Sequence, residues 1–159
     1  LFKAGADKVS VNTAAVKRPE LVAELARQYG SQSTVVAIDA KAADGGYRVY
    51  IRAGNVDTGL DAAAWARRVV ELGAGELLVT SIDRDGTKLG YDVGLLRAVA
   101  SAAPVPLIAS GGAGSPQHFL EAALAGADGL LAASIFHFRE VEIAGLKRFL
   151  ASRGIEVRL

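Results

Sequence analysis

The chain has 159 residues, 51% of them hydrophobic and 22% charged, with 18 basic against 17 acidic side chains. That length suits one packed domain, that composition excludes disorder, and the balanced charge offers no surplus for nucleic acid or an anionic membrane. The absence of Cys removes disulfides, thiolate metal ligands and Cys nucleophiles together. No apolar run approaches the ~20 residues of a membrane span, and no signal peptide is visible. There is no Met, and the chain starts at Leu1. A processed chain, or a piece of something longer, is expected.

In chain order, the lead-in Ala4-Gly5-Ala6-Asp7 opens a first apolar run, Lys8-Val9-Ser10-Val11-Asn12-Thr13. Pro19 at a helix start, then Leu21, Leu25 and Tyr29 four apart, and Gly30 as a stop predict a helix. Thr34-Val35-Val36-Ala37-Ile38-Asp39 predicts a second strand. Within Ala40 to Gly54, the turn signal Asp44-Gly45-Gly46 and the alternating Tyr47, Val49 and Ile51 predict a β-hairpin built onto its end. Trp65, Val69 and Leu72, ended by Gly73, form the next helical stripe. Glu76-Leu77-Leu78-Val79-Thr80-Ser81 predicts a third strand, again after a Gly-Ala lead-in. Asp92 can cap a helix bearing Leu95, Leu96 and Val99. Val105-Pro106-Leu107-Ile108-Ala109-Ser110 predicts a fourth strand. Ser115-Pro116 is a cap-and-N1 pair before Phe119, Leu120 and Leu124. A fifth run, Gly129 to Ala133 with Ser134 behind it, follows Ala125-Gly126-Ala127-Asp128, and Ile143, Leu146, Phe149 and Leu150 form the last stripe.

Five strand–helix units predict an α/β fold with a parallel sheet whose strands are buried on both faces. Two architectures fit: an open doubly wound sheet, or part of a (β/α)8 barrel. A barrel of ~250 residues uses about 31 per unit, so five units need about 156. The repeated Gly-Ala lead-ins also favour a ring of like units. The expectation is therefore a single partial TIM (β/α)8-barrel domain over residues 1–159, comprising strands four to eight with their helices.

In either architecture the site lies at the C-terminal ends of the strands. Ser110-Gly111-Gly112-Ala113-Gly114-Ser115 can aim backbone N–H groups at a phosphate just before a helix, and Ser134 closes the neighbouring strand. A tight turn that needs Gly for φ > 0 would look the same. Gln117 stands where a Rossmann fingerprint needs its third Gly, and no Walker A motif is present. Asn12 and Thr13 offer an amide and a hydroxyl for a second phosphate, or a plain helix cap. Asp39 ends an apolar strand, where partial burial would raise its pKa toward acid–base use; a bond to a backbone N–H or to Lys41 is the alternative. Thr80, Asp83 and Asp85 line a polar loop. Gly86 and Gly94 fall at the wrong places for a calcium loop, so no metal is expected. The aspartates can hold a substrate hydroxyl or order the loop by pairing with Arg84. His118 falls in a helix and reads as solvated, whereas His137 suits packing or substrate contact. No nucleophile elbow is present.

These stretches together resemble the cyclase subunits of imidazole glycerol phosphate synthase. The resemblance runs from Gly5–Ala15 through Val36–Lys41, Gly73–Glu76, Thr80–Asp92 and Ala109–Gly114 to Ala132-Ala133-Ser134-Ile135-Phe136-His137-Phe138-Arg139-Glu140. It implies a cytoplasmic lyase of histidine biosynthesis on a (β/α)8 barrel, with no cofactor. Ammonia from a partner glutaminase, bound as a heterodimer, would add to a ribulosyl aminoimidazole carboxamide ribotide carrying a phosphate at each end. The products would be imidazole glycerol phosphate and an aminoimidazole carboxamide ribotide. Asp39 matches one of two catalytic aspartates. Asn12 and Thr13 match one phosphate grip, and Gly111, Gly112, Ala133 and Ser134 the other, beside Ser110. Thr80, Asp83 and Asp85 match residues of the barrel mouth. Lys8 and Glu76 match the charged ring where ammonia enters, and Asp7 the face that docks the glutaminase. The other catalytic Asp belongs to a strand outside this chain, and Ala53 stands where the family often has Ser. The isomerase of the preceding step, on the same barrel, and a non-catalytic partial barrel are the competing readings. With two unpaired sheet edges, the isolated chain, if soluble, is expected to self-associate or to need its missing part, and with one catalytic Asp outside it, to be inactive.

Overall fold

The computed structural model describes residues 1–158. The five predicted strands, the hairpin and the five helical stripes appear in order, among the elements β1 (Val9–Val11), α1 (Thr13–Lys17), α2 (Glu20–Tyr29), β2 (Thr34–Ala43), β3 (Gly46–Ile51), β4 (Val56–Asp61), α3 (Ala62–Glu71), β5 (Glu76–Ser81), α4 (Val93–Ala102), β6 (Leu107–Ser110), α5 (Pro116–Leu124), β7 (Gly129–Leu130), α6 (Ser134–His137) and α7 (Ile143–Ser152). Strands β1, β2, β5, β6 and β7 pair in parallel, each with the next in that order. The order runs one way, without the reversal that defines a doubly wound sheet. Right-handed crossovers that always step the same way put every crossover helix on one face.

Burial along the strands follows from that. Val36 and Ile38 of β2, Leu77 and Val79 of β5, and Leu107 and Ala109 of β6 are buried, in one core with Trp65, Val69, Leu95, Val99 and Phe119 from the helices. The alternate residues Ala37, Leu78 and Ile108 stay partly exposed on the other face. The sheet is thus fully covered on one side only, a departure from the two-sided burial that uniformly apolar strands suggest. Period-two geometry puts Asp39, Thr80 and Ser110 on this more open face. Among the described residues, no helix is long and apolar enough to cross a membrane.

The hairpin forms as its turn chemistry dictates. Asp44 and Gly45 both have positive φ, as a two-residue turn between right-twisted strands requires, and β2 pairs with β3 from Asp39↔Tyr50 to Ala43↔Gly46. The structure adds β4, which pairs with β3 and which the sequence reading left out. Its sequence, Val56-Asp57-Thr58-Gly59-Leu60-Asp61, lacks a clean alternation and lies mostly exposed. Pairing, with Thr58 Oγ1 donating to the Val49 carbonyl at 2.7 Å, makes it a strand.

The helix stripes hold with small shifts. In α2 the buried residue is Val22, whereas Leu21 and Leu25 are half-buried and Tyr29 leaves the core to stack on Phe2. Pro19 precedes the first helical residue, and Ser115 makes no side-chain cap bond. Asp92 caps α4 as expected, accepting from the Leu95 N–H at 3.1 Å. The same carboxylate accepts from the Tyr47 hydroxyl at 2.8 Å and the Ser81 hydroxyl at 3.4 Å, tying hairpin, strand end and helix together. Burial, then the Asp92 carboxylate, push the Tyr47 phenol up to about 12, so it stays a donor at neutral pH. Removing this hub by Asp92→Ala is expected to destabilise the protein by about 2 to 4 kcal/mol. That combines a lost cap of about 1 kcal/mol with charged hydrogen bonds of about 1.5 to 3 kcal/mol. Chemical denaturation checks it; a change under about 0.5 kcal/mol would refute the hub.

Candidate functional site

Parallel pairing fixes the first layer of the site. Asp39 pairs with Thr80 and Thr80 with Ser110, so three polar side chains stand in one row at the C-terminal end of the sheet. Beside them Asn12 leaves β1. It sits at the start of α1 but makes no side-chain cap bond. Its Nδ2 instead donates to Asp39 Oδ2 at 2.8 Å, across 27 positions of sequence. Among the described residues neither Lys41 nor a backbone N–H holds Asp39; the Lys41 ammonium lies over the Tyr50 ring, 4.8 Å from its centre.

Burial raises the pKa of the half-buried Asp39; the Asn12 hydrogen bond opposes that shift, and the nearby Asp85 charge adds to it. A carboxyl poised in this way can both take and return a proton. Among the described residues Asn12 Oδ1 is buried with no hydrogen-bond partner, so the one side-chain contact that orients this amide is the one to Asp39. Asn12→Ala removes the contact that favours ionised Asp39. The pKa of Asp39 is then expected to rise further. A pH titration of the Asp39 carboxyl by carbon NMR checks the direction, and a fall would overturn it.

Thr13 is engaged too: its hydroxyl accepts from the Arg52 N–H at 3.2 Å, holding the far end of the hairpin against the rim. In the loop after β5, Asp83 accepts from the Ala42 N–H at 2.9 Å. It orders the loop through the hairpin; among the described residues neither Asp83 nor Asp85 forms an ion pair with Arg84.

The second layer is a pocket of about 180 Å³ beyond Ser110, lined by Asp85, Lys88, Gly111, Gly112, Ala133 and Ser134 among others. Gly111 and Gly112 have φ of 91° and 102°. A Cβ on Gly112 would lie 2.2 Å from the Gly90 carbonyl oxygen, and one on Gly111 2.7 Å from that of Ser81. Both glycines are therefore required by conformation and by the close approach of the Ser81–Gly90 loop, which the Gly90 N–H fastens to the Gly112 carbonyl at 2.7 Å. This is the tight turn that the glycines predict, and successive backbone N–H groups in such turns can face an anion. Ala133 and Ser134 close the pocket from the end of β7.

Lys88 and Tyr91 carry no role in the sequence pattern, and His118 departs from its expected solvated place. Lys88 lines the pocket, and its ammonium meets both carboxylate oxygens of Glu140 at 2.6 and 2.7 Å. The Tyr91 hydroxyl donates to the Leu131 carbonyl at 2.9 Å, bracing the loop against β7. His118 is not simply solvated: its Nδ1 accepts from the Gly114 N–H at 3.1 Å. A lone Lys in a polar loop was the signal available for Lys88. His137 is exposed, its ring edge-on to Phe138. At the opposite end of the sheet, Lys8 and Glu76 form an ion pair across 68 positions, and Asp7 is exposed nearby in sequence.

Comparison with known proteins identifies the family. The sequence pattern of the family described as histidine biosynthesis protein matches residues 1–142. The imidazole glycerol phosphate synthase subunit HisF of Pyrobaculum aerophilum is 66% identical over 159 residues, which cover the whole of this chain and 63% of that protein. The subunit of the same name from Wolinella succinogenes is 55% identical over 161 residues, again all of this chain and 63% of the relative. The chain thus spans somewhat less than two thirds of the length of either relative. Identity of this order over the whole chain, with the family pattern running from β1 past α6, leaves one assignment: the chain belongs to the histidine biosynthesis protein family.

Proposed function

We propose that this chain is strands four to eight, with their helices, of a (β/α)8 barrel, forming one domain over residues 1–159. Strand order supports this, because five strands stepping one way with helices on one face form an arc of a barrel. The partly open face, with Ala37, Leu78 and Ile108, would then be the barrel interior, covered by the remaining strands. The whole protein would be the ammonia-dependent cyclase of imidazole glycerol phosphate synthase, as the names of both relatives suggest. Its substrate would be the bisphosphorylated ribulosyl aminoimidazole carboxamide ribotide, with imidazole glycerol phosphate and aminoimidazole carboxamide ribotide as products. Charged intermediates of this kind are retained in the cytoplasm, where the reaction would run.

The observation that carries this reading is Asp39: half-buried, raised in pKa, hydrogen-bonded to Asn12, and in register with Thr80 and Ser110 beside the glycine pocket. Addition of ammonia to the sugar portion, cleavage and ring closure each require protons to be moved, and Asp39 would move them. Gly111, Gly112, Ala133 and Ser134 would hold one phosphate, and Asn12 and Thr13 the other, so that the reacting centre lies across the row between them. Asp83 and Asp85 would shape the mouth above it. The Lys8–Glu76 pair sits at the far end of the strands, where it would gate ammonia delivered by a glutaminase subunit docked below, against Asp7. Full-length protein supplied with the bisphosphate and ammonium ions should form imidazole glycerol phosphate, followed by a coupled assay. No product would refute the reading; conversion of the isomerase substrate without ammonia would favour the isomerase.

A further inference from the structure

We propose that Lys88 is a phosphate ligand held in reserve by Glu140, so that an entering phosphate competes with Glu140 for the Lys88 ammonium. This rests on the phosphate reading of the glycine pocket given above. The neutral donors of that pocket are backbone N–H groups and the Ser110 and Ser134 hydroxyls, and Asp85 adds a negative charge to its wall. A phosphate dianion placed there needs a compensating cation, and Lys88 is the only cationic side chain among the residues lining the pocket.

The backbone holds Lys88 in place for that role. Its φ of 59° is left-handed, uncommon for a residue other than Gly. A Cβ on Gly114 would fall 2.3 Å from the Lys88 carbonyl oxygen and 2.7 Å from its Cβ, so the Ser110–Ser115 turn and Lys88 are packed face to face. Local strain persists where the surroundings enforce it, and it gathers at ligand clamps. The ammonium meanwhile occupies both oxygens of Glu140, which follows α6, the short helix opened by the pocket residue Ser134. Both side chains are over a third exposed, at 44% and 39%. Exposed pairs add little stability and exchange readily, so the pair can open when a better anion arrives. The resting pair also keeps the cation from repelling or trapping other groups while the pocket is empty.

Competition makes a prediction that a structural strap does not. Both Lys88→Gln and Glu140→Gln break the pair, so a strap predicts the same direction of change for each. Competition predicts opposite signs: Lys88→Gln should weaken phosphate binding about tenfold, and Glu140→Gln should tighten it several-fold. Lys88→Arg should restore most of the affinity. The experiment titrates full-length protein with inorganic phosphate and follows the amide resonances of Gly111, Gly112 and Ser134. Opposite signs with rescue by Arg support the proposal. Equal signs, or no change in Lys88→Gln while the unsubstituted protein binds, overturn it and leave the phosphate pocket standing. If the unsubstituted protein shows no response at these amides up to high phosphate, both the pocket reading and the proposal fall.

Discussion

Asp39→Asn in the full-length protein is expected to lower ammonia-dependent turnover by about 10²- to 10⁴-fold, the range typical for loss of a general acid–base group. The amide has the shape of the carboxyl, and its oxygen can still accept from Asn12 Nδ2. It cannot take a proton. Substrate affinity should change little, because the phosphate grips lie on other residues. Stability should move the other way. The folded-state pKa of Asp39 is raised, chiefly by burial, so between the unfolded and folded pKa values the folded protein binds more protons. Stability therefore falls as pH rises through that window, and above it ionised Asp39 remains a net burden on the fold. Removing the charge should leave the melting temperature at neutral pH unchanged or higher. Unchanged turnover would remove Asp39 from catalysis, and a clear drop in melting temperature would contradict the burial argument.

Gly112→Val is expected to cost about 2 to 5 kcal/mol of stability and to raise the KM for the bisphosphate at least tenfold. A side chain at φ 102° incurs about 1 to 2 kcal/mol of left-handed strain. Its Cβ would also meet the Gly90 carbonyl at 2.2 Å and the Arg84 Cβ at 2.9 Å, which adds about 1 to 3 kcal/mol of overpacking. Relief requires the Ser81–Gly90 loop to lift. That would move Asp83, Asp85 and Lys88 together and open the pocket. Gly145→Ala is the control. Gly145 lies inside α7 with φ in the ordinary range, and a Cβ there meets nothing within 4 Å. Helix propensity predicts a gain of about 0.5 to 1 kcal/mol. Unfolding curves and steady-state kinetics on the two variants separate a glycine kept for conformation and approach from one that is merely present. Wild-type behaviour of Gly112→Val would discard the close-packed turn.

Much of this architecture was legible because its signals are local. Short apolar runs ending in Asn12, Asp39, Ser81, Ser110 and Ser134 mark both the strands and the rim. Asp44-Gly45 dictates its turn through positive φ, and Asp92 its cap through one side-chain acceptor. Strand β4 was not legible, because an exposed edge segment with Asp and Gly has no periodicity of its own and becomes a strand only by pairing with β3. The shifted stripe of α2, centred on Val22, reflects which flank of the helix finds a neighbour, and no count of apolar positions contains that.

The amino-acid sequence by itself determined the order of the five strand–helix units, the polar residues at each strand end and the glycines of the Ser110–Ser115 turn. These follow from dihedral preference and hydrophobic period, which act over a few residues. Only the tertiary structure decided who meets whom: Asn12 with Asp39, Asp83 with the hairpin backbone, Tyr47 with Asp92, Lys88 with Glu140, Lys8 with Glu76. Those partners lie 27 to 68 positions apart. Parallel pairing gathers the strand ends into two rims, the C-terminal one for the first four pairs and the N-terminal one for Lys8 and Glu76, and the register of the sheet selects the pairs.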